Sequence, residues 1–489
     1  MSNVTSSGSR SRWIARALAC VAITTASIGP AARAEAGCRA SAPARCLRAG
    51  EQDPTFGSFG YAIFHDLGNG LSRGAMDLAL LPDGRIVMGG SSTTNGGVDH
   101  DPTLARFSAN GQLDPTFGAG GVVRTILGPG NAIIQSIAVQ SDGKILAAGG
   151  YDSNPLRIPG YTTGYVPDTS FLVRFEVDGA LDTSFGDGGL VVVSTPGSSR
   201  RYERVLLQPG DGILTVGFQA GQTAGTSHYF VERRDGTGAL DPAFGSGGIA
   251  RAYDGHFRWT TYYRAGAALQ ADGKIVIGGA AFAVGPYLNC ALARFDANGA
   301  LDPGFGGGQI LLPQEPGEVC NIQSIAQQPD GKLLAAGAFY GDNTQMTFTL
   351  MRFAADGSPD TKFGRRGRVQ TRVVKSPTTV TSHAVTVQSD GTIIEVGSTG
   401  GGEFDVVRHR PNGRPDGRFR SRPGRPGVVR TGRQGGYTAV FDGAQAVALL
   451  PDGRILVGGN PGHIGTFALA RYLATTCHYE PVGHTLACE

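Results

Sequence analysis

Apolar positions along this chain come in short runs separated by glycine-rich polar turns, and the runs alternate rather than follow a helical period. In "IQSIAVQSDGKILAAGG" (Ile134 to Gly150) two apolar runs flank an Asp-Gly pair. That is the pattern of a β-hairpin, and Asp-Gly suits a primed two-residue turn because such a turn needs positive φ. "FLVRFEVDGALD" (Phe171 to Asp182) adds a third strand ending in another glycine turn, and "GLVVVST" (Gly189 to Thr195) a fourth. The predicted unit is four short strands with no helix.

The unit recurs. "LDPTFGAGG" (Leu113 to Gly121) returns as "QDPTFGSFG", "LDTSFGDGG", "LDPAFGSGG", "LDPGFGGGQ", "PDTKFGRRG" and, degraded, "PDGRFRSRPG". Asp-Gly pairs at Asp83, Asp142, Asp211, Asp272, Asp330, Asp390 and Asp452 are separated by 59, 69, 61, 58, 60 and 62 residues. A four-stranded unit with two apolar faces cannot bury them alone, so neighbours must stack. The first copy, from Asp53, supplies a turn and a fourth strand without the preceding three. The last stops at "TFALARYL" (Thr466 to Leu473) with its fourth strand missing. Joined, the two make one whole unit. The expected fold is all-β, a seven-bladed β-propeller of four-stranded antiparallel blades with the N-terminal strand closing the last blade. A linear β-solenoid is the alternative, and it leaves both partial units unpaired.

The returning Asp-Gly, Arg-aromatic and Leu-Asp-Pro-x-Phe-Gly elements resemble the bacterial delta-60 repeat family over about residues 52 to 473. The resemblance implies an exported bacterial protein with a propeller fold. It brings no catalytic residues and no activity.

Composition changes the picture in two places. The chain has 489 residues with a formal net charge of +3, too small a bias to imply a nucleic-acid or membrane partner. Arg10, Arg12 and Arg16 precede a short apolar stretch and the sequence "ARA" at Ala32 to Ala34, which reads as an export signal over residues 1–34. A Cys-containing segment (35–51), the repeats (52–473) and a Cys-containing tail (474–489) follow. Six cysteines remain after the signal and fall into near pairs: Cys38 with Cys46, Cys290 with Cys320, Cys477 with Cys488. Three disulfides are expected in an exported chain, although spacing alone does not choose among the pairings. Metal ligation is the alternative, and no C-x-x-C spacing supports it.

Residues that return in every unit address a problem every unit shares, which is packing. An arginine of the third strand (Arg106, Arg174, Arg233, Arg294, Arg352, Arg408, Arg471) precedes by eight residues an acid (Asp114, Asp182, Asp241, Asp302, Asp360, Asp416), with Asp53 serving the closing unit. An Arg-Asp clasp on the third-to-fourth-strand turn is expected, because a guanidinium grips a carboxylate with two hydrogen bonds. The phenylalanines after it (Phe56, Phe117, Phe185, Phe244, Phe305, Phe363, Phe419) are expected to plug the gaps between units.

Binding is expected on the other rim, where the connections vary. "DGHFRWTTYYR" gathers His256, Trp259, Tyr262 and Tyr263, whose aromatic faces suit sugar rings or blade packing, and the long loop Tyr151 to Ser170 adds Tyr151, Tyr161 and Tyr165, either a cover for the central channel or a solvated loop. Asp99, His100 and Asp101 form a weak cation candidate, since oxygen-ligand sites need more converging carboxylates. Arg408 to Arg433 holds nine arginines and one acid, Asp416, either an anionic-polymer surface or a solvated turn. No Walker pattern, H-E-x-x-H or G-x-S-x-G occurs. The reading is an exported, monomeric, non-enzymatic binding or structural module of the bacterial envelope or extracellular space. It has no cofactor, its ligand is a carbohydrate or a protein, and nucleic acid is unlikely to be the partner of an exported chain. The rival is a propeller lyase, hydrolase or lactonase with ionisable groups at the channel mouth.

Overall fold

A computed structural model describes residues 45–65, 74–93, 100–128, 130–152, 168–195, 198–221, 227–253, 264–282, 288–312, 319–340, 347–373, 380–399, 403–420, 425–431, 443–460, 466–480 and 485–488. Among them the regular structure is β-strand apart from a single 3-10 turn at Gly306–Gly308. No helix among them is long and apolar enough to cross a membrane.

The unit read from the sequence is visible in residues 131–194. Asn131–Val139 pairs with Ile145–Asp152, that strand with Thr169–Phe175, and the third with Leu190–Ser194, all antiparallel. The same order runs through residues 74–124, 198–252, 266–311, 319–371 and 381–431, hereafter the first and the third to sixth units, with 131–194 the second. The first and second units are linked edge to edge by a single parallel bridge, His100 to Asn131. Among the described residues no sheet closes on itself. In the seventh unit, Gly443–Leu449, Ile455–Asn460 and Thr466–Tyr472 are completed by Tyr61–His65 from the other end of the chain, with Ile63 opposite Ala468. Beside this junction Arg45–Leu47 pairs with Cys477–Glu480, which pairs with Thr485–Cys488, so the two terminal segments form one small sheet.

The hairpin turns differ from the primed two-residue form. Gln140 N bonds to Lys144 O and Gly143 N to Gln140 O, each at 2.9 Å, and only Gly143 has positive φ, +87°. This is a type I turn followed by a left-handed glycine, the three-residue form with a bulge. Pro82, Pro209, Pro329 and Pro451 stand one position upstream, where a φ near −65° suits the second residue of such a turn, and Ser141, Ala271 and Ser389 take the same place without proline. In the third unit the register also moves by one. Gln208 N bonds to Gly212 O, so Gly210-Asp211 fills the turn and Asp211 takes the left-handed place at φ 60°.

The core lies between units. Phe117 and Leu104 of the first pack with Ile134, Ile145 and Val173 of the second, and equivalent clusters join each consecutive pair through the sixth and seventh. Ala446, Leu456 and Leu469 of the seventh unit pack with Leu78, Ile86 and Met88 of the first. The first strands of successive units likewise touch in series, and Gly443–Leu449 touches Gly74–Leu80. Glycine makes one of these strand contacts possible: a Cβ on Gly149 would stand 2.0 Å from Ile133 O, opposite a bulge between Ile134 and Ser136. Comparable shifts fall at Ala75/Asp77, Tyr202/Arg204, Ile322/Ser324, Ser382/Ala384 and Ala444/Ala446.

Candidate functional site

The recurring arginines are fully engaged. Nε donates to the aspartate Oδ2 at 2.8 Å for Arg106–Asp114, 2.6 Å for Arg174–Asp182, 2.7 Å for Arg233–Asp241, 2.8 Å for Arg294–Asp302, 3.0 Å for Arg352–Asp360, 2.8 Å for Arg408–Asp416 and 2.7 Å for Arg471–Asp53. Each guanidinium also lies over the plug phenylalanine of its own turn, as Arg106 lies 4.5 Å from the Phe117 ring centre. Its Nη1 crosses to a turn carbonyl of the next unit: Arg174 to Gly236 O at 2.6 Å, Arg352 to Pro411 O at 2.6 Å, and Arg471 of the seventh unit to Ala109 O of the first at 2.8 Å. A second cation often joins the carboxylate, such as Lys144 on Asp182 at 2.8 Å. Burial opposes ionisation of Asp114, but hydrogen bonds from Thr116, Arg85 and Arg106 outweigh it and hold its carboxyl at about 2. With its donors and acceptors satisfied within the scaffold, this constellation has little left to offer a ligand.

A different group of side chains gathers where the first strands meet. The bulge residues Met76, Gln135, Glu203, Gln323, His383 and Gln445 are all buried. His383 Nδ1 lies 3.0 Å from Gln323 Oε1 and its Nε2 3.4 Å from Ser398 Oγ. Burial, reinforced by Arg264 and Arg204, pushes this imidazole down to about 3, so it is neutral at neutral pH. Arg204 donates to Gln323 O and to Glu203 O, both at 2.8 Å, reaching from the third unit to the fifth. Asp77 of the first unit accepts from Leu78 N at 2.9 Å and from Ile137 N of the second at 3.0 Å; burial raises its carboxyl against the pull of Arg204.

Arg264 is the unusual member. It is 6% exposed, and its Nη2 meets the Met76 thioether of the first unit at 3.2 Å. Among the described residues no carboxylate stands at ion-pair distance from it, whereas Arg201 is paired with Glu203 at 2.5 Å. Burial and Arg204 push its guanidinium down to about 9, which leaves it a cation at neutral pH. Asn321 Oδ1 and Nδ2, Gln135 Oε1, Ser382 Oγ and Glu203 Oε2 are buried without a hydrogen-bond partner among the described residues.

The residues singled out from sequence fare differently. His256, Trp259, Tyr262, Tyr263, Tyr161, Tyr165, Asp99 and Cys38 lie outside the described residues. Tyr151 stands next to last in the strand Ile145–Asp152, partly buried against the core shared by the first and second units rather than presented on a free loop. Asp101 is buried within His100–Phe107, and no group of three or more His, Cys, Asp or Glu among the described residues could hold a metal. In the arginine-rich stretch, Arg408 is held by Asp416, and Arg430 is held by Asp405 at 2.7 Å and by Glu403, so these two cations already have carboxylate partners within the fold. Cys290 is bonded to Cys320 and Cys477 to Cys488, and Cys46 is disulfide-bonded as well. Sequence reasoning passed over the axial group. Its signal was a polar residue interrupting an apolar first strand, as in "IIQSIAV" and "NIQSIAQ".

Residues 81–117, 270–305, 328–363 and 450–475 match the family described as "Domain of unknown function (DUF5122) beta-propeller". The chain therefore carries β-propeller repeats. No curated protein matches it. Among solved structures it is similar to an ulvan lyase of polysaccharide lyase family PL25, at 12% identity over 90% of this chain and 98% of the other, TM-score 0.45. A protein of unknown function from Dyadobacter fermentans is 12% identical over 86% of this chain and 99% of the other, TM-score 0.42. An α-L-arabinanase of Penicillium chrysogenum complexed with arabinobiose is 14% identical over 70% and 92%, TM-score 0.41. All three scores lie below 0.5, and the likenesses assign neither ligand nor reaction to this chain.

Proposed function

We propose that this protein is an exported, closed propeller of seven blades, built from delta-60-type repeats, that serves as a non-enzymatic binding module of the bacterial envelope or extracellular space. Its ligand is a carbohydrate or protein approaching from the rim of long connections, where His256, Trp259, Tyr262, Tyr263, Tyr161 and Tyr165 stand in the sequence. Closure is supported by Arg471, which makes across the junction of seventh and first units the contact its counterparts make between other neighbours. Export is supported by the disulfides, which persist in oxidising compartments.

The observation that carries binding is the first-strand group, where Gln135, Asn321, Ser382 and Glu203 keep buried polar atoms without partners among the described residues and Arg264 has no carboxylate at ion-pair distance among them. The rival enzyme reading draws on the same ionisable side chains. Their chemistry favours binding: both His383 nitrogens are engaged and its pKa of about 3 removes it as a neutral-pH acid, while each Asp77 oxygen accepts a backbone N–H. Screening the purified protein against glycans and envelope fractions, with product analysis of every hit, tests this reading. Retention without turnover is expected, and cleavage of a retained polymer would establish the enzyme instead.

A further inference from the structure

We infer that Arg264 and Arg204 form an axial anion site that takes the carboxylate of a hydroxylated acid, a sugar acid in chemical class. The inference rests on the binding reading and names the chemistry of its ligand. Charge is the first argument. The guanidiniums of Arg201, Arg204 and Arg264 share this region with the carboxylates of Glu203 and Asp77, and Arg201 already engages Glu203. One cation is left over, and it is buried: among the described residues Arg264 has only a thioether at hydrogen-bond distance, a weak acceptor for a charged donor. An uncompensated buried charge is costly, and a bound anion removes that cost. A planar guanidinium with free N–H groups matches a carboxylate in two-point geometry.

The neutral groups decide what kind of anion. Among the described residues Gln135 Oε1 and Asn321 Oδ1 are acceptors without donors, and Asn321 Nδ2 is a donor without an acceptor. A sulfate or acetate ion brings only acceptors, so it could satisfy the arginine and Asn321 Nδ2 and would leave the two amide oxygens as they are. A hydroxylated carboxylate brings O–H donors as well, and buried polar atoms are satisfied wherever chemistry permits. Approach comes from the rim of long connections, because Arg264 ends the connection between the third and fourth units.

Calorimetric titration of the full chain with glucuronate, glucose, acetate and sulfate tests this. Glucuronate should bind at least tenfold more tightly than acetate or sulfate, and glucose should not bind measurably. Arg264→Met should lose glucuronate at least tenfold and yet melt no lower than wild type, because the substitution removes an uncompensated buried charge. Arg264→Lys, keeping the charge without the fork, should fall between. Equal binding of glucose and glucuronate, equal binding of acetate and glucuronate, or undiminished glucuronate binding by Arg264→Met overturns the inference. A variant that melts well below wild type would assign Arg264 a structural role and overturn it equally. Turnover of an acidic polymer would remove the non-enzymatic reading while leaving the anion site standing. Retention of a neutral glycan with no response to glucuronate would do the reverse.

Discussion

Replacing Asp114 by asparagine removes the charge that Arg106 and Arg85 share while preserving side-chain volume. Arg106 is 1% exposed, so it becomes a buried cation held by neutral acceptors: Thr116 Oγ1, Val177 O and the face of Phe117. A hydrogen bond to a charged group contributes about 1.5–3 kcal/mol, and breaking a buried pair by removing one partner costs about 3–5 kcal/mol. The half-buried Arg85 adds under about 1 kcal/mol. Asparagine retains the oxygen that accepts from Thr116 N at 3.0 Å, so the turn itself survives. The expected loss is about 2–4 kcal/mol, read as a lowered urea midpoint by far-ultraviolet circular dichroism. Asp142→Asn is the control, because that exposed carboxylate accepts one backbone hydrogen bond, from Lys144 N at 3.0 Å, and should shift stability by less than about 0.5 kcal/mol. The folded pKa of Asp114, about 2, lies below its ordinary 3.8, so its stabilisation is fully present above that ordinary value and is lost as pH falls through about 2. The gap between wild type and Asp114→Asn should therefore persist at pH 5 and shrink towards pH 2. An Asp114→Asn midpoint indistinguishable from wild type at pH 7 would refute the clasp.

Other consequences are equally direct. His383 is held near 3 against an ordinary 6.5, so its neutral form favours the fold above 6.5 and that contribution drains away as pH falls towards 3, at most about 1.4 kcal/mol per pH unit; His383→Gln should flatten the acid limb of a stability profile, and an unchanged limb would count against the burial. Gly149→Ala should destabilise by more than about 2 kcal/mol in the same urea experiment, because its Cβ would stand 2.0 Å from Ile133 O within a strand pair. Replacing Cys290 and Cys320 together by alanine opens a loop of 30 residues between the fourth and fifth units, with an expected cost near 3.5 kcal/mol by loop entropy, checked by calorimetry.

The scaffold was legible because it is written repeatedly. Arg and Asp eight residues apart, with a phenylalanine three residues on, recur often enough to stand out from one sequence, and the structure holds them in contact. The turn type was not legible from the Asp-Gly pair alone, because the residue before it, whether Pro82, Pro451 or Ser141, opens a type I turn that leaves only the glycine at positive φ. In the third unit the displaced Asp211 was aligned as an ordinary copy, although Gly210 holds the aspartate's place. The first-strand group was illegible for the opposite reason: its bulge positions are Met76, Gln135, Glu203, Gln323, His383 and Gln445, glutamine at three of six and otherwise three different side chains, too mixed to stand out as a repeated element. Their proximity comes from the meeting of strands hundreds of residues apart, as when Arg264 reaches Met76, and local pattern carries no record of that.

The central claim is that the ends of the repeat array meet. Spin labels on cysteines introduced at Asn110 and Thr475 report this by pulsed electron double resonance. Gly57 N donates to Asn110 O at 2.7 Å and Arg471 donates to Ala109 O at 2.8 Å, so in a closed ring the labels lie within about 20 Å, allowing roughly 10 Å for the label arms and one sheet spacing. In an open stack, with sheets roughly 10 Å apart, they would stand about 60 Å from each other. A single short distance is the predicted result, and a distribution centred near the longer value would contradict the ring.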